Sequence, residues 1–519
     1  MELYMIISSF YPLLLAFVFS LFVVARATKR YSRTKKQNSK VLPGPWKLPI
    51  IGNLHQLFGL LPHHALTELS KKHGPIMHLQ LGEVSTVVAS SAKMAKLIMK
   101  THDITFADRG ESIVTEIMTY NYTDVTFAPY GDYWRHMRKI FVLELLSTKR
   151  VQFFRSIREE EVSNLIHDVS SIAQLRTSIN LTERISSLTN DVTARAAFGK
   201  VCKDKATFIS SMRDATRLGS GFAFADLFPS LKFLHVITGT KSKAEMLHQE
   251  INRILGNILN AHREKKVVVI SGMADDDDFY EEDFVDVLLR LQGNSELEYP
   301  LTDDNIKAIL FDTFTAGTDP ASTTIEWAMS EILKNARVMK KAQDEVRHVL
   351  HKSKTIDETE LHELIYLKQV INETLRLHPP LPLLLPRQSR ESCEIDGYEL
   401  PNKCKVIVNA LAIGKDPEYW SDPESFKPER FDGSPIDYKG TNFEYIPFGA
   451  GRRMCPGMNF GIALVEVVLA QLLYHFDWKL TDGLKLEDLD MSEIFGISVR
   501  RKNDLCLMPI TYSPSLIYE

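Results

Sequence analysis

A mainly α-helical body with a small β-sheet region, preceded by one N-terminal transmembrane helix, is the fold class this sequence predicts. Three observations predict it. Through the middle of the chain, apolar residues recur every three or four positions, as one face of a helix requires. Strand-like segments are confined to a short patch, Ile76–Leu81 and Thr86–Ala89. The segment Met5–Ala25 carries no charged residue and is dominated by Leu, Phe, Val and Ile.

The totals narrow the function. The chain has 519 residues and a net charge of −4, so no basic nucleic-acid footprint is present and no nucleic-acid partner is expected. Its 5 cysteines (Cys202, Cys393, Cys404, Cys455 and Cys506) are an odd number without a CxxC pair. That argues against a disulfide framework or a zinc site, and for a reducing compartment.

At about 1.5 Å per residue, Met5–Ala25 is long enough to cross the roughly 30 Å hydrocarbon core of a bilayer. Arg26, Lys29, Arg30, Arg33, Lys35, Lys36 and Lys40 follow without an acidic residue among them. Positive charge after the span keeps that side cytosolic. A cleaved signal peptide is the competing reading, since Ala25-Arg26-Ala27 has A-x-A form. Such peptides place their charges before a shorter apolar core, so an uncleaved anchor in contact with membrane lipid is favoured. Pro43, Pro45 and Pro49 then restrict the backbone and exclude a regular helix. The expected division is an anchor over 1–25, a basic and proline-rich hinge over 26–53, and a body over 54–519.

Within the body, amphipathic helices are expected around Val162–Val169, Ala244–Ala261 and Phe284–Leu291. The acidic runs Asp275–Asp278 and Glu281–Asp283 read as solvated loops without chemistry. Leu301–Asn305 supplies helix N-cap residues. The apolar positions Ile306, Ile309, Leu310, Phe314, Ile325, Met329, Ile332 and Leu333 extend that helix to roughly 45 Å. In its middle stand Ala316, Gly317, Thr318, Asp319 and Pro320. A proline inside a helix costs about 3 kcal/mol and leaves the carbonyl of Ala316 without its donor. A local break holding an ordered water is expected there.

Glu373 and Arg376 are one helical turn apart and share a face. The segment Phe448–Gly457 places Cys455 in a Gly- and Pro-rich loop, with Arg452 and Arg453 before it and an apolar helical run, Gly461–Ala470, after it. A thiolate near a helix N-terminus is favoured by backbone N–H groups and the helix dipole. Glycines let the backbone approach a flat cofactor.

The pattern Phe448, Gly451, Arg453, Cys455, Gly457 resembles the haem-ligand signature of the cytochrome P450 superfamily. Glu373 and Arg376, with Phe426–Phe431 downstream, resemble that family's Glu-x-x-Arg helix and Pro-Glu-Arg-Phe loop. Trp134 and Arg138 resemble its Trp-x-x-x-Arg helix, and Ala316–Pro320 its oxygen-side segment. Over nearly the whole chain the likeness is to plant A-type microsomal members.

The resemblance implies a P450 fold, a haem-binding catalytic domain over 54–519, and haem b with Cys455 as its iron ligand. It implies Trp134, Arg138, Arg387 and Arg453 as propionate partners, beside Phe448 and Gly457 at the cofactor. Ala316 and Gly317 would leave room for dioxygen, with Asp319 and Thr318 serving proton delivery. Glu373, Arg376 and Arg430 would form a structural triad. Thr315, Leu383, Leu384 and Ile497 would touch substrate. Electrons would come from NADPH through a membrane-bound NADPH–cytochrome P450 reductase, with cytochrome b5 as an additional partner. The location implied is the endoplasmic reticulum membrane, single-pass, with the catalytic domain cytosolic. The expected reaction is monooxygenation of a small hydrophobic plant specialised metabolite, a terpenoid first and an indole alkaloid second. Pro320 stands where the family has threonine. That keeps oxidative coupling, rearrangement or dehydration as the alternative chemistry, and a non-catalytic haem sensor as a third.

Overall fold

The computed structural model describes residues 41–199, 204–219, 224–231, 233–270, 282–350, 358–481 and 485–513. The expected anchor, the basic stretch up to Lys40, Cys202, the run Asp275–Asp278 and Glu281 lie outside the described residues. In chain order, the helices that position the site are α1 (Pro62–His73), α2 (Asp132–Ile140), α3 (Arg155–Leu175), α4 (Leu181–Phe198), α5 (Thr240–Ile270), α6 (Phe284–Gln292), α7 (Asp303–Lys334), α8 (Ile365–Leu377) and α9 (Met458–His475). The strands of the main sheet are β1 (Ile76–Leu81), β2 (Val84–Ala89), β3 (Arg387–Gln388) and β4 (Lys405–Val408). The three middle helices anticipated from periodicity fall inside α3, α5 and α6.

Helix α7 begins where its sequence offers a cap. The Thr302 side chain accepts from the Asn305 N–H at 3.2 Å, and the Asn305 side chain accepts from the Thr302 N–H at 2.9 Å. This reciprocal box satisfies two otherwise orphaned donors. Ile306, Ile309, Leu310, Ile325, Met329, Ile332 and Leu333 are fully buried, which places α7 inside the body between α4 and α9. The break expected at Pro320 is absent: the helix is continuous from Asp303 to Lys334. Burial on both sides of the proline holds the two halves in line and offsets the missing hydrogen bond.

The sheet has the order β1-β2-β4-β3. β1 and β2 pair antiparallel, β2 and β4 parallel, and β3 and β4 antiparallel. The proline-rich stretch runs along β1. Asn53 is buried, and its side-chain carbonyl accepts from the Gln80 N–H at 2.8 Å. A Cβ on Gly44 would lie 2.3 Å from the His78 carbonyl oxygen, so only glycine permits this approach.

Asp283 departs from the solvated loop expected of its acidic run. It is buried, caps α6 through a reciprocal box with Asp286, and meets His262 Nε2 at 2.9 Å. An aspartate directly before an apolar helical run is an N-cap signal, and that signal prevails over the charge run. Among the described residues only α9 is long and apolar enough to cross a membrane, but most of it is buried in the core.

Behind the Cys455 loop, Glu373 and Arg376 of α8 are fully buried and fully paired. Arg376 Nε and Nη2 donate to the two Glu373 oxygens at 2.7 and 2.8 Å, and Arg430 Nε donates to Glu373 Oε1 at 2.9 Å. The remaining Arg376 donors reach the carbonyls of Gly414 and Pro423. The Lys427 N–H completes the carboxylate shell at 2.8 Å. Removing one partner strands a buried charge. Glu373→Ala should therefore lose about 3–5 kcal/mol in urea denaturation, and Glu373→Gln distinctly less because it keeps an acceptor. A loss under about 1 kcal/mol for the alanine variant would place this triad among ordinary surface ion pairs.

Candidate active site

Gly449 and Gly451 both adopt φ near +70°, and the Cys455 N–H donates to the Phe448 carbonyl at 3.0 Å, closing the loop. A Cβ on Gly451 would meet the Met99 carbonyl oxygen at 2.1 Å, so this position admits no side chain. Cys455 sits just before α9, and its sulfur accepts from the backbone N–H groups of Gly457 and Met458. Burial pushes the thiol up, while the two N–H groups and the Arg138 charge favour the thiolate. Half-buried, Cys455 lines a cavity of about 290 Å³.

Phe448, Gly449, Pro456 and Gly457 line the same side of that cavity as Cys455. Thr315, Ala316, Gly317, Asp319 and Pro320 of α7 contribute to its lining, with Leu384, Leu385 and Ile497. Ala316 is exposed, although it lies mid-helix in the body. Gly317 has a second reason to be small: a Cβ there would lie 3.1 Å from Thr193 Cγ2 on α4. Thr318 does not fit the proton role expected of it. It is buried off the cavity, and its hydroxyl donates to the Phe314 carbonyl at 3.0 Å, the ordinary back-bond of a helical threonine. Leu383 lies off the haem cavity. Its side chain packs with Leu66, Leu69 and Met77 and faces a second, outer cavity, because the strained turn at Leu384 (φ +50°) points the next residue inward.

The expected cations converge. Arg138, Arg387 and Arg453 all line the cavity, and so does Arg109, which the sequence reading missed. Arg387 donates to Asp103 at 2.8 Å and to the Ala450 carbonyl at 2.7 Å. Arg453 donates to the carbonyls of Ala107, Val125 and Ala128. Arg109 donates to those of Thr126, Leu385 and Pro386. Among the described residues Arg138 has one donor on the Met454 carbonyl and keeps the rest of its fork. Trp134 departs from expectation: its indole N–H donates to the Val125 carbonyl at 2.8 Å, and its ring lies 4.4 Å from the Arg453 guanidinium carbon. An indole has a single donor, and once buried it takes the acceptor beside it.

These arginines repel one another. Burial and then the Arg387 charge hold Arg453 down to about 10, and burial and the Arg453 charge lower Arg109. Asp103 is shared by Arg387 and Arg452, which leaves the cluster short of negative charge. A flat, acidic, metal-bearing ligand supplies that charge, fits under α7 and meets the sulfur. The donor set fits haem b.

Two carboxyls above the cavity were also missed. Asp312 Oδ2 accepts from the N–H groups of Val125 and Thr126 at 2.9 and 3.0 Å, and Asp124 Oδ2 from Phe127 at 2.9 Å. Among the described residues Asp124 Oδ1 has no N–H donor, and the Asp124 carboxyl interacts with that of Asp312. Burial is the main cause that raises both acids; it lifts Asp312 to about 6, and the Asp312 charge raises Asp124 further. Two touching, buried carboxyls share a proton more readily than two charges. A lone aspartate inside the apolar run Leu310–Phe314 was the available signal.

A sulfur, an apolar cavity beneath a long helix and a ring of cations are all used at once by one kind of cofactor, so fold and site together define a haem-thiolate enzyme. A sequence model of the family "Cytochrome P450" matches residues 42–508, and the chain belongs to that family, the haem b-dependent monooxygenases. It is 60% identical over 476 residues to desmethyl-deoxy-podophyllotoxin synthase of Sinopodophyllum hexandrum, covering 92% of each chain. It is 49% identical over 515 residues to premnaspirodiene oxygenase of Hyoscyamus muticus, covering 99% of this chain and 100% of that one. A solved zebrafish cytochrome P450 shares the fold, with a TM-score of 0.72 at 22% identity over 88% of this chain and 100% of that one.

The acid pair makes stability depend on pH. Its folded-state carboxyls hold protons that the unfolded chain has already lost, so stability falls as pH rises from about 3.8 towards about 6 and beyond. Asp124→Asn removes one of the two acids and should flatten this fall, measured as melting temperature against pH from 4 to 8. A profile as steep as the parent's would show that the two acids do not share a proton.

Proposed function

We propose that this enzyme inserts oxygen into a small, largely apolar plant specialised metabolite. The observation that carries the reading is the Cys455 sulfur, open to an apolar cavity that is also lined by Ala316 and Asp319 of α7. In this reading Cys455 ligates the iron of haem b, and Arg109, Arg138, Arg387 and Arg453 hold its propionates. Phe448 and Gly457 shape the cofactor's bed. The bound haem supplies oxygen activation, favoured by the electron-rich thiolate.

The chain's own groups then divide the remaining work. Thr315, Leu384 and Ile497 orient the substrate, and the aliphatic lining excludes water. Asp319 carries protons towards the cavity. Beside it, Pro320 leaves the Ala316 carbonyl as a fixed acceptor where the family has a hydroxyl. The likeness to premnaspirodiene oxygenase supports a terpenoid substrate. An alkaloid stands second, and the relative named for making desmethyl-deoxy-podophyllotoxin adds a third class for the test panel. Electrons would come from NADPH through NADPH–cytochrome P450 reductase, with cytochrome b5 as an additional donor. The residue 1–25 anchor would hold the enzyme in the endoplasmic reticulum membrane, with the body cytosolic.

A second reading rests on Pro320, which lines the cavity without a hydroxyl. A haem-thiolate isomerase or dehydratase would need neither dioxygen nor reductase. Microsomes containing the enzyme should convert a member of a terpene and alkaloid panel only when NADPH and reductase are both present. Turnover without them would establish the second reading instead. Pro320→Ala restores an N–H to the Ala316 carbonyl without adding a hydroxyl, so product formed per NADPH should fall severalfold. Unchanged coupling would show that residue 320 does not control proton delivery.

A further inference from the structure

Beyond the haem cavity lies an outer chamber of about 130 Å³. The two share Arg109, Phe127, Leu384, Leu385 and Ile497 in their linings, so they are adjoining compartments of one recess. The outer chamber is lined partly by leucines, isoleucines and Phe495, and partly by Arg109, Glu111, Ser112, Asp226 and Lys405.

Lys405 is the unusual member. It lies on β4, opposite Thr86 of β2 and Gln388 of β3, in the interior of the sheet. Side chains alternate along a strand. Val406 and Val408 enter the core with Ile76 and Val87, while Lys405 and Ile407 face the outer chamber. The lysine stem runs beside Gly110: a Cβ there would lie in ordinary contact with Lys405 Cε, at 3.5 Å.

Among the described residues, the Lys405 ammonium has no hydrogen-bond or ion-pair partner. Burial lowers its pKa, and the Asp226 charge only partly opposes this. Asp226 is engaged elsewhere, accepting from Ser112 Oγ at 3.0 Å and facing His235 Nε2 at 3.7 Å. Arg109, by contrast, has its fork on three carbonyls. Lys405 is half-buried and lines the outer chamber, so its ammonium keeps donors available to a ligand there.

We propose that the outer chamber is a recognition subsite, in which Lys405 donates to an oxygen acceptor at the end of the substrate remote from Cys455. The inference rests on the haem-thiolate reading and narrows it. The substrate bears a carbonyl, lactone or ether oxygen at one end and presents an apolar end to the haem. A bare hydrocarbon leaves the ammonium unpaired and is bound less well.

The test uses the haem-loaded enzyme and its Lys405→Met variant, which keeps the length of the side chain and removes the charge. The probes are N-alkylimidazoles of graded chain length, each paired with a partner carrying a terminal ketone. The imidazole fixes one end on the iron, and the optical shift reports the dissociation constant. At a length that reaches the outer chamber, the parent should bind the ketone about tenfold more tightly than the hydrocarbon, as a charge-assisted hydrogen bond allows. Lys405→Met should lose that advantage, leave the hydrocarbon probe unchanged, and melt at the same or a higher temperature.

Equal affinities for the two probes at every length would overturn the proposal. So would a variant that weakens both probes alike or melts lower, since that marks a structural lysine. No imidazole shift with either protein would instead remove the haem-site reading, and this inference with it.

Discussion

A sulfur anion buried away from water is unfavourable unless donors and positive charge are fixed around it. Much of this fold meets that requirement at Cys455. Two N–H groups at the start of α9 and the Arg138 guanidinium supply the favourable field. They do so only while the preceding loop keeps its shape. Asp103 holds that loop by accepting from the Arg452 N–H at 2.9 Å and from Arg387 at 2.8 Å. From the other side, the Tyr445 hydroxyl donates to the Asn372 carbonyl at 2.8 Å, linking the loop to the helix that carries Glu373 and Arg376. The paired charges on α8 thus act on chemistry they never touch.

The same logic governs the wall of arginines. Arg109 and Arg453 are held by carbonyls from the segments around residues 107 and 125–128 and from Leu385 and Pro386, and Trp134 grips Val125. That segment is in turn fixed to α7 by Asp312, through the N–H groups of Val125 and Thr126. The cofactor's cationic partners and the oxygen-side helix are therefore one connected unit. Strain or charge introduced at Asp312 reaches the arginines through Val125 and Thr126, whose N–H groups bond the carboxylate and whose carbonyls accept from Arg453 and Arg109. Such buried polar networks are costly when any member lacks a partner, and here nearly every donor has one.

Features written locally were legible in the sequence. Helical periodicity located α3, α5 and α6, the N-cap residues of Leu301–Asn305 marked the start of α7, and Glu373, Arg376 and Arg430 lie together. The Cys455 loop was legible because its glycines and its sulfur lie within a few residues of one another. Contacts between distant segments were not. Asp124 and Asp312 look unrelated until the fold brings them together, and Arg109 looks like a surface charge until three carbonyls surround it. Trp134 and Thr318 were placed near the chemistry by motif, yet each turns to a nearer partner: a carbonyl, or its own helix. Motif spacing gives a residue's address but not the acceptor closest to its donor. At Pro320 the rule that proline breaks helices yielded to packing on both flanks.

The ligation of iron by sulfur is the bond on which the remaining chemistry depends. Its most direct measurement is the carbon monoxide difference spectrum of reduced, haem-loaded Cys455→Ser protein beside the parent. The parent should give the thiolate-type band, and the variant should lose it while keeping its helical content. A variant that retained an unaltered thiolate-type band would show that another group ligates the iron.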